Sequence, residues 1–317
     1  MDQTRYDAIW KKNIEKFSEK SSQRDIKGNI NYSNEMRPTI KNPMLKSMKI
    51  GFIGAGNMTQ ALVKGLVESN EIKADHIFVS NRTEGKLVKL SEQFHVQTRS
   101  HNQEIISECD VVIIAVKPQD FSSALEGLTA QFNKNQIVIS LAAGIPFDSL
   151  EKQIPSGRLV RLMPNTPSLI GRGVIGFICL DETDEFVTSL MEDLFGSLGY
   201  VLQVDTEDQF DALMISCSSG TGFIFEMMMY WQDWIEERGF TPEIARKMTT
   251  ETFLGASMLA SQATEIEIEE LQSRVASKKG IAAAGLASMR ELEIERTLRI
   301  SFEKAAMRAQ EIAKSQK

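Results

Sequence analysis

The sequence predicts an α/β domain built on a parallel sheet, followed by an all-α domain, and three observations carry that prediction. Lys49 to Leu62 reads KIGFIGAGNMTQAL, an apolar run, a glycine turn and then a helical pattern, which is the order of a strand, a tight turn and a helix. Short β-branched runs recur from residue 76 to residue 204, several of them continuously apolar, as strands covered on both faces are. Beyond Asp205 these runs almost cease, and apolar residues recur at helical spacing instead.

The glycine turn is the most informative stretch. Gly54 permits a sharp turn, and Gly56 lets the backbone approach a pyrophosphate resting on the free N–H groups and positive end of the next helix. Thr59 stands at the third small position of the GxGxxG pattern, a departure that weakens the motif taken alone. A strand before, an amphipathic helix after and a second strand about 20 residues on restore it, so the first half reads as a Rossmann-type dinucleotide-binding domain.

Each later strand adds a loop at the same sheet edge. His76 to Ser80 is the second strand, and its tip, Ser80-Asn81-Arg82, carries no carboxylate to accept from a ribose 2′-hydroxyl. An arginine there accommodates a 2′-phosphate, so NADP(H) is expected ahead of NAD(H); the competing reading of Arg82 is a solvated surface residue. Asp110 to Val116 is a central buried strand, stopped by Lys117-Pro118-Gln119. Ile137 to Leu141 ends in Ala142-Ala143-Gly144, where small residues allow backbone to approach a ligand. Arg158 to Leu162 runs into Met163-Pro164-Asn165-Thr166-Pro167, a rigid turn rather than a helix. Gly173 to Leu180 and Tyr200 to Val204 finish the sheet, with a helix from Glu182 to Leu198 between them.

Composition narrows the function classes. The 317 residues carry a net charge of −7, with 42% hydrophobic and 25% charged residues, which is ordinary for a soluble chain of about two domains. The acidic balance argues against general nucleic-acid binding. No run of ~18 apolar residues suggests a membrane span. Cys109, Cys179 and Cys217 have no CxxC spacing and form an odd set, so free thiols in a reducing cytoplasm are expected, without a disulfide framework or a metal site. Residues 1–47 look separate from the fold and lack the apolar core of a secretory signal. Tyr6, Ile9, Trp10, Ile14 and Phe17 share one helical face, and residues 21–42 read as a polar linker, leaving open a partner-docking helix or a dispensable extension. The expected domains are thus an extension (1–47), a dinucleotide-binding domain (48–204) and a helical dimerisation and substrate domain (205–317).

The segments IGFIGAGNM, VSNRT, AVKPQ, SLAAGIP and RLMPNTP, in this order and spacing, resemble the pyrroline-5-carboxylate reductase family over about residues 48–317. The MPNTP turn together with AVKPQ is the most specific part. The resemblance implies an all-α dimerisation domain that interlocks two copies and an NADPH or NADH site at Gly54, Gly56, Asn57, Met58, Ser80, Asn81, Arg82, Val116, Lys117, Pro118, Ala142, Asn165 and Thr166. It also implies a small cyclic imine, L-1-pyrroline-5-carboxylate, as substrate and L-proline as product.

The helical half departs from the family in two places. Cys217-Ser218-Ser219-Gly220-Thr221-Gly222 replaces Ser-Gly-Ser-Gly-Pro-Ala, and the small residues still allow close packing. The substrate segment, usually Thr-Ser-Pro-Gly-Gly-Thr-Thr at a helix N-terminus, reads Ala276-Ser277-Lys278-Lys279-Gly280-Ile281-Ala282. Ser277 and Gly280 persist, Lys278 and Lys279 add charge that could meet a carboxylate or simply be solvated, and the hydroxyl beside the imine nitrogen is lost at Ala282. Phe223, Met227, Tyr230, Trp231 and Trp234 recur as a core or dimer seam, while Thr241 and Pro242 cap a new helix after Gly239. Further amphipathic stretches run from Ala245 to Ala260 and from Glu293 to Ile312.

A protonated imine needs no strong catalytic acid, which agrees with His76, His95 and His101 lying away from the substrate loops. The missing histidine base disfavours a 2-hydroxy-acid dehydrogenase. Two alternatives stay open: a reductase of a different cyclic imine, or a non-catalytic homologue that binds NADP(H).

Overall fold

The computed structural model describes residues 43–69 and 72–315. The helix expected around Tyr6 to Phe17 and the linker at 21–42 lie outside the described residues. By internal contacts the chain divides into two units, the first holding residues 43–222 and 301–315 and the second holding residues 223–300.

The first unit is organised by an eight-stranded sheet of order β3-β2-β1-β4-β5-β6-β7-β8. The strands are β1 (Ile50–Ile53), β2 (Ile77–Ser80), β3 (Gln97–Arg99), β4 (Val111–Ile114), β5 (Ile137–Ser140), β6 (Arg158–Met163), β7 (Gly173–Cys179) and β8 (Gly199–Gln203). β1 to β6 run parallel, β7 is antiparallel to β6, and β8 is parallel to β7. Helices α1 (Asn57–Glu68), α2 (Glu84–Phe94), α3 (Asn102–Glu108), α4 (Phe121–Ala124), α5 (Phe147–Gln153), α6 (Glu185–Phe195) and α7 (Glu207–Leu213) connect the strands or follow them.

Two cores, one on each face, explain the continuous apolar runs. Ile50, Phe52, Val111, Ile113, Ile137 and Ile139 join one cluster, while the intervening Ile53, Val112, Ile114 and Val138 join the other. Side chains alternate across a strand, so burial on both faces demands an unbroken run. Upstream of β1, a 3₁₀ turn at Pro43–Ser47 places Leu45 fully buried in the first cluster, so packing begins within the segment assigned by sequence to the extension. β3 has no apolar run and was not expected; its polar Gln97, Thr98 and Arg99 sit at the sheet margin, where Arg99 is held by Glu108 at 2.7 Å.

Past α7, a π-helical turn, Met214–Ser219, leads into α8 (Gly220–Glu236). Glu207–Glu236 is long and apolar enough, by length and composition, to cross a membrane, contrary to the expectation of no such stretch. Its first part is occupied otherwise: Phe210, Leu213 and Met214 are buried in the sheet's core.

The second unit holds the remainder of α8, then α9 (Pro242–Gln262), α10 (Ile268–Val275), α11 (Ile281–Glu291) and the start of α12 (Ile294–Ser315). Thr241 caps α9 by accepting from the Ile244 amide, with Pro242 at the first helical position. Gly239 ends α8 at φ +92°. Little of this unit is buried: Ile235, Ala245, Thr249, Ala263 and Ile266 are its most enclosed residues.

Candidate cofactor and substrate sites

Parallel register brings the strand ends to one edge. Ile53 pairs with Ser80 and Ile114, and Ile114 pairs with Ser140, so the loops after β1, β2, β4 and β5 leave the sheet together. β1 lies between β2 and β4, where the strand order reverses direction, which is where open parallel sheets form a ligand crevice.

The glycine turn is fitted tightly to this place. Gly54 adopts φ +110°, and a Cβ there would lie 2.7 Å from the Ala115 carbonyl oxygen, so no other residue brings the end of β1 this close to β4. The Ala55 amide donates to Asn81 Oδ1 at 3.2 Å, while Asn81 Nδ2 donates to the Thr83 carbonyl at 3.0 Å. Thr59 is fully buried and its hydroxyl donates to the Gly54 carbonyl at 2.8 Å, so the departure from the glycine pattern braces the turn from below. Gly56 caps α1 without a side-chain hydrogen bond, and a Cβ at Gly56 would meet nothing within 4 Å. The space before the first-turn amides is therefore open, as a bound pyrophosphate requires.

Around this turn lie the other expected cofactor residues. Asn57 is exposed and Met58 half-buried at the start of α1. Ser80 is buried, its hydroxyl donating to Asn102 Oδ1 at 2.8 Å, and Asn102 in turn donates to the Ala124 carbonyl. Val116 and Pro118 are half-buried and Lys117 is exposed on the turn after β4. Ala142 is buried after β5 and Thr166 is exposed after β6. Arg82 projects with its side chain 82% exposed, and its Nη2 lies 3.2 Å from Asp120 Oδ1, a partner that the sequence did not suggest.

Asn165 is spent on structure. Its Oδ1 accepts from the Val174 amide at 2.9 Å and its Nδ2 donates to the Cys217 carbonyl at 3.2 Å, while Ser218 Oγ donates to the Pro164 carbonyl at 3.0 Å. The π turn thus clasps the turn after β6. A deeper tie is Arg161 on β6, whose buried guanidinium bonds Glu207 Oε1 at 2.9 Å and lies 4.4 Å from the Phe210 ring. The same Glu207 oxygen accepts from the Phe147 amide, which fixes the chain beyond the β5 loop. Burial holds the Arg161 guanidinium below its ordinary pKa against the pull of Glu207, and burial raises the nearby Asp211 carboxyl above the usual range.

The substrate segment belongs to the second unit. Gly280 is the N-cap of α11 with no side-chain hydrogen bond, its amide donating to the Ser277 carbonyl at 2.8 Å. Lys279, where the family usually has glycine, holds φ +60°, a conformation that costs a side-chain-bearing residue about 1 to 2 kcal/mol. Ser277, Lys278 and Lys279 are exposed, Ala282 is half-buried, and Ile281 is 96% exposed at the first helical position.

A largely parallel sheet of this order, with a glycine turn at its reversal point and an open helix start, defines the Rossmann-type class of dinucleotide-binding proteins. Residues 49–144 match the family profile described as NADP oxidoreductase, coenzyme F420-dependent, and residues 207–312 match that described as pyrroline-5-carboxylate reductase dimerisation. The chain belongs to the pyrroline-5-carboxylate reductase family: it is 31% identical over 273 residues to pyrroline-5-carboxylate reductase 1 of Bacillus spizizenii, covering 86% of this chain and 91% of that one. Among solved structures it is similar to a pyrroline-5-carboxylate reductase from Coxiella burnetii, with 31% identity, a TM-score of 0.77 and coverage of 84% and 98% of the two chains. The fold is also that of the Plasmodium falciparum pyrroline carboxylate reductase with NADP bound, at 22% identity, a TM-score of 0.76 and coverage of 85% and 99%.

Proposed function

We propose that this chain reduces L-1-pyrroline-5-carboxylate to L-proline with NAD(P)H, as a cytoplasmic homodimer. One observation carries the reading: the likeness to pyrroline-5-carboxylate reductases extends over 86% of the chain, through both the dinucleotide edge and the helical segment.

The open space at Gly56 fits the pyrophosphate of the cofactor, and Gly54, Asn57 and Met58 complete that cradle. Asn81 and Arg82 meet the adenosine ribose, and Ser80 supports the strand tip from within the sheet. Val116, Lys117, Pro118, Ala142, Asn165 and Thr166 line the edge, Asn165 by holding its turn in shape. When bound, the reduced nicotinamide supplies the hydride.

The remaining work falls to this chain. The substrate carboxylate sits on the first-turn amides of α11, beyond Gly280 and Ser277, a charge-assisted interaction of about 0.3 to 2 kcal/mol. Lys278 or Lys279 adds positive charge there. The imine binds protonated, so one added hydride at carbon completes the new C–H bond while nitrogen keeps its proton. No side-chain acid is needed, and orientation provides the acceleration.

Ile281 and Ala282 favour a second reading, a cyclic imine with a different ring, because an apolar first turn replaces hydroxyls that would orient the pyrroline nitrogen. The purified chain is therefore assayed with L-1-pyrroline-5-carboxylate and with six-membered cyclic imines, following the absorbance of reduced nicotinamide. Saturable turnover of the five-membered substrate, with rescue of a proline auxotroph, is the expected result. Turnover of another imine alone transfers the assignment to the second reading, and cofactor binding without turnover of any imine overturns both.

A further inference from the structure

We propose that Asp120 sets how strongly the cofactor site prefers a 2′-phosphorylated dinucleotide, by competing with the phosphate for Arg82. This rests on the cofactor reading above, in which the tip of β2 meets the adenosine ribose.

The observation is the ion pair across the crevice. Arg82 follows β2, Asp120 ends the 3₁₀ turn at Pro118–Asp120 after β4, and these two strands flank β1. Arg82 Nη2 lies 3.2 Å from Asp120 Oδ1. The two partners are held unequally. The Asp120 amide donates to the Lys117 carbonyl at 2.9 Å, its carbonyl accepts from Ser123 Oγ at 2.9 Å, and its side chain is 30% exposed. Arg82 is 82% exposed on a long flexible stem, so the carboxylate stays and the guanidinium moves.

A 2′-phosphate reaching Arg82 must either draw it from Asp120 or share it. Sharing places a phosphate of about −1.5 to −2 charge beside a fixed carboxylate, a like-charge contact. Drawing it away gives up the existing pair. Either course weakens NADPH and leaves NADH, which has only a hydroxyl there, almost untouched. At a solvent-exposed site the combined effect is about three- to tenfold in affinity.

The test is fluorescence titration of the full chain with NADPH and NADH at low ionic strength, for the unaltered protein, Asp120→Asn, Arg82→Ala and the double variant. Asp120→Asn is expected to tighten NADPH by about three- to tenfold while NADH changes less than about twofold, and the gain is expected to vanish without Arg82. Tightened selective binding is not something a folding defect produces. No tightening, equal change for both dinucleotides, or an undiminished gain in the Arg82→Ala background overturns the proposal. Arg82→Ala alone separates the layers: selective loss of NADPH keeps the ribose reading even if Asp120 proves inert, and equal loss of both cofactors removes that reading.

Discussion

Thr59 illustrates how a residue that breaks a motif can serve it. Its hydroxyl occupies the space beneath the turn and donates to the Gly54 carbonyl in a fully buried setting. Thr59→Val keeps the volume and removes the donor, leaving a buried carbonyl short of a partner. The expected loss is about 1 to 3 kcal/mol in urea unfolding, together with weaker binding of both dinucleotides, since the turn rather than the ribose tip is loosened. A stability change under about 0.5 kcal/mol would mean the hydroxyl adds nothing beyond size. Gly54 was legible in the sequence because its position restricts the backbone itself, and Gly56 because a side chain there would fill the open space before the helix start. Thr59 read as a flaw, because the partner of a buried hydroxyl is a fact of three dimensions. Asp120 was missed for the same reason: 38 residues separate it from Arg82, and only the pairing of β2 and β4 with β1 brings them together.

At the scale of elements, the strands of the parallel core and the long helices announced themselves by period, two-sided burial for the former and helical spacing for the latter. Two elements that escaped have no period to read. β3 is three polar residues at the sheet margin, and the π turn at Met214–Ser219 is an irregularity inside a helical stretch. Yet the π turn determines what Asn165 does. The family resemblance implies Asn165 at the cofactor edge, and its side chain there joins the start of β7 to the π turn while Ser218 holds Pro164. Asn165→Ala removes both bonds of a residue only 6% exposed, for an expected cost of about 1 to 3 kcal/mol. Hydrogen exchange separates this role from simple ligand contact. The Val174 amide loses its acceptor and should exchange faster in the cofactor-free protein, whereas a residue acting only on ligand would leave that amide unchanged.

For the whole molecule, the helical unit is where a single copy is least self-sufficient. Phe225, Met229, Tyr230, Trp231 and Trp234 stand between 49% and 62% exposed along α8, an apolar surface too continuous for a lone soluble chain. Residues 207–312 match the family's dimerisation profile, so a second copy is the expected cover for that surface. The same stretch satisfies the length and composition of a membrane span because its first part is apolar to enter the sheet's core and its later part carries this exposed apolar surface. Phe225→Glu tests which description holds. On a monomer's surface this substitution is worth within about 0.5 kcal/mol, since Phe225 is 57% exposed. In a two-fold interface it acts twice, and each buried phenyl contributes about 1.5 to 3 kcal/mol, so dimer affinity should fall by roughly 3 to 6 kcal/mol. Sedimentation at micromolar concentration should then find monomers, and the thermal midpoint should become lower and strongly dependent on protein concentration. A variant that sediments as a dimer with an unchanged midpoint would place the interface on another face of these helices.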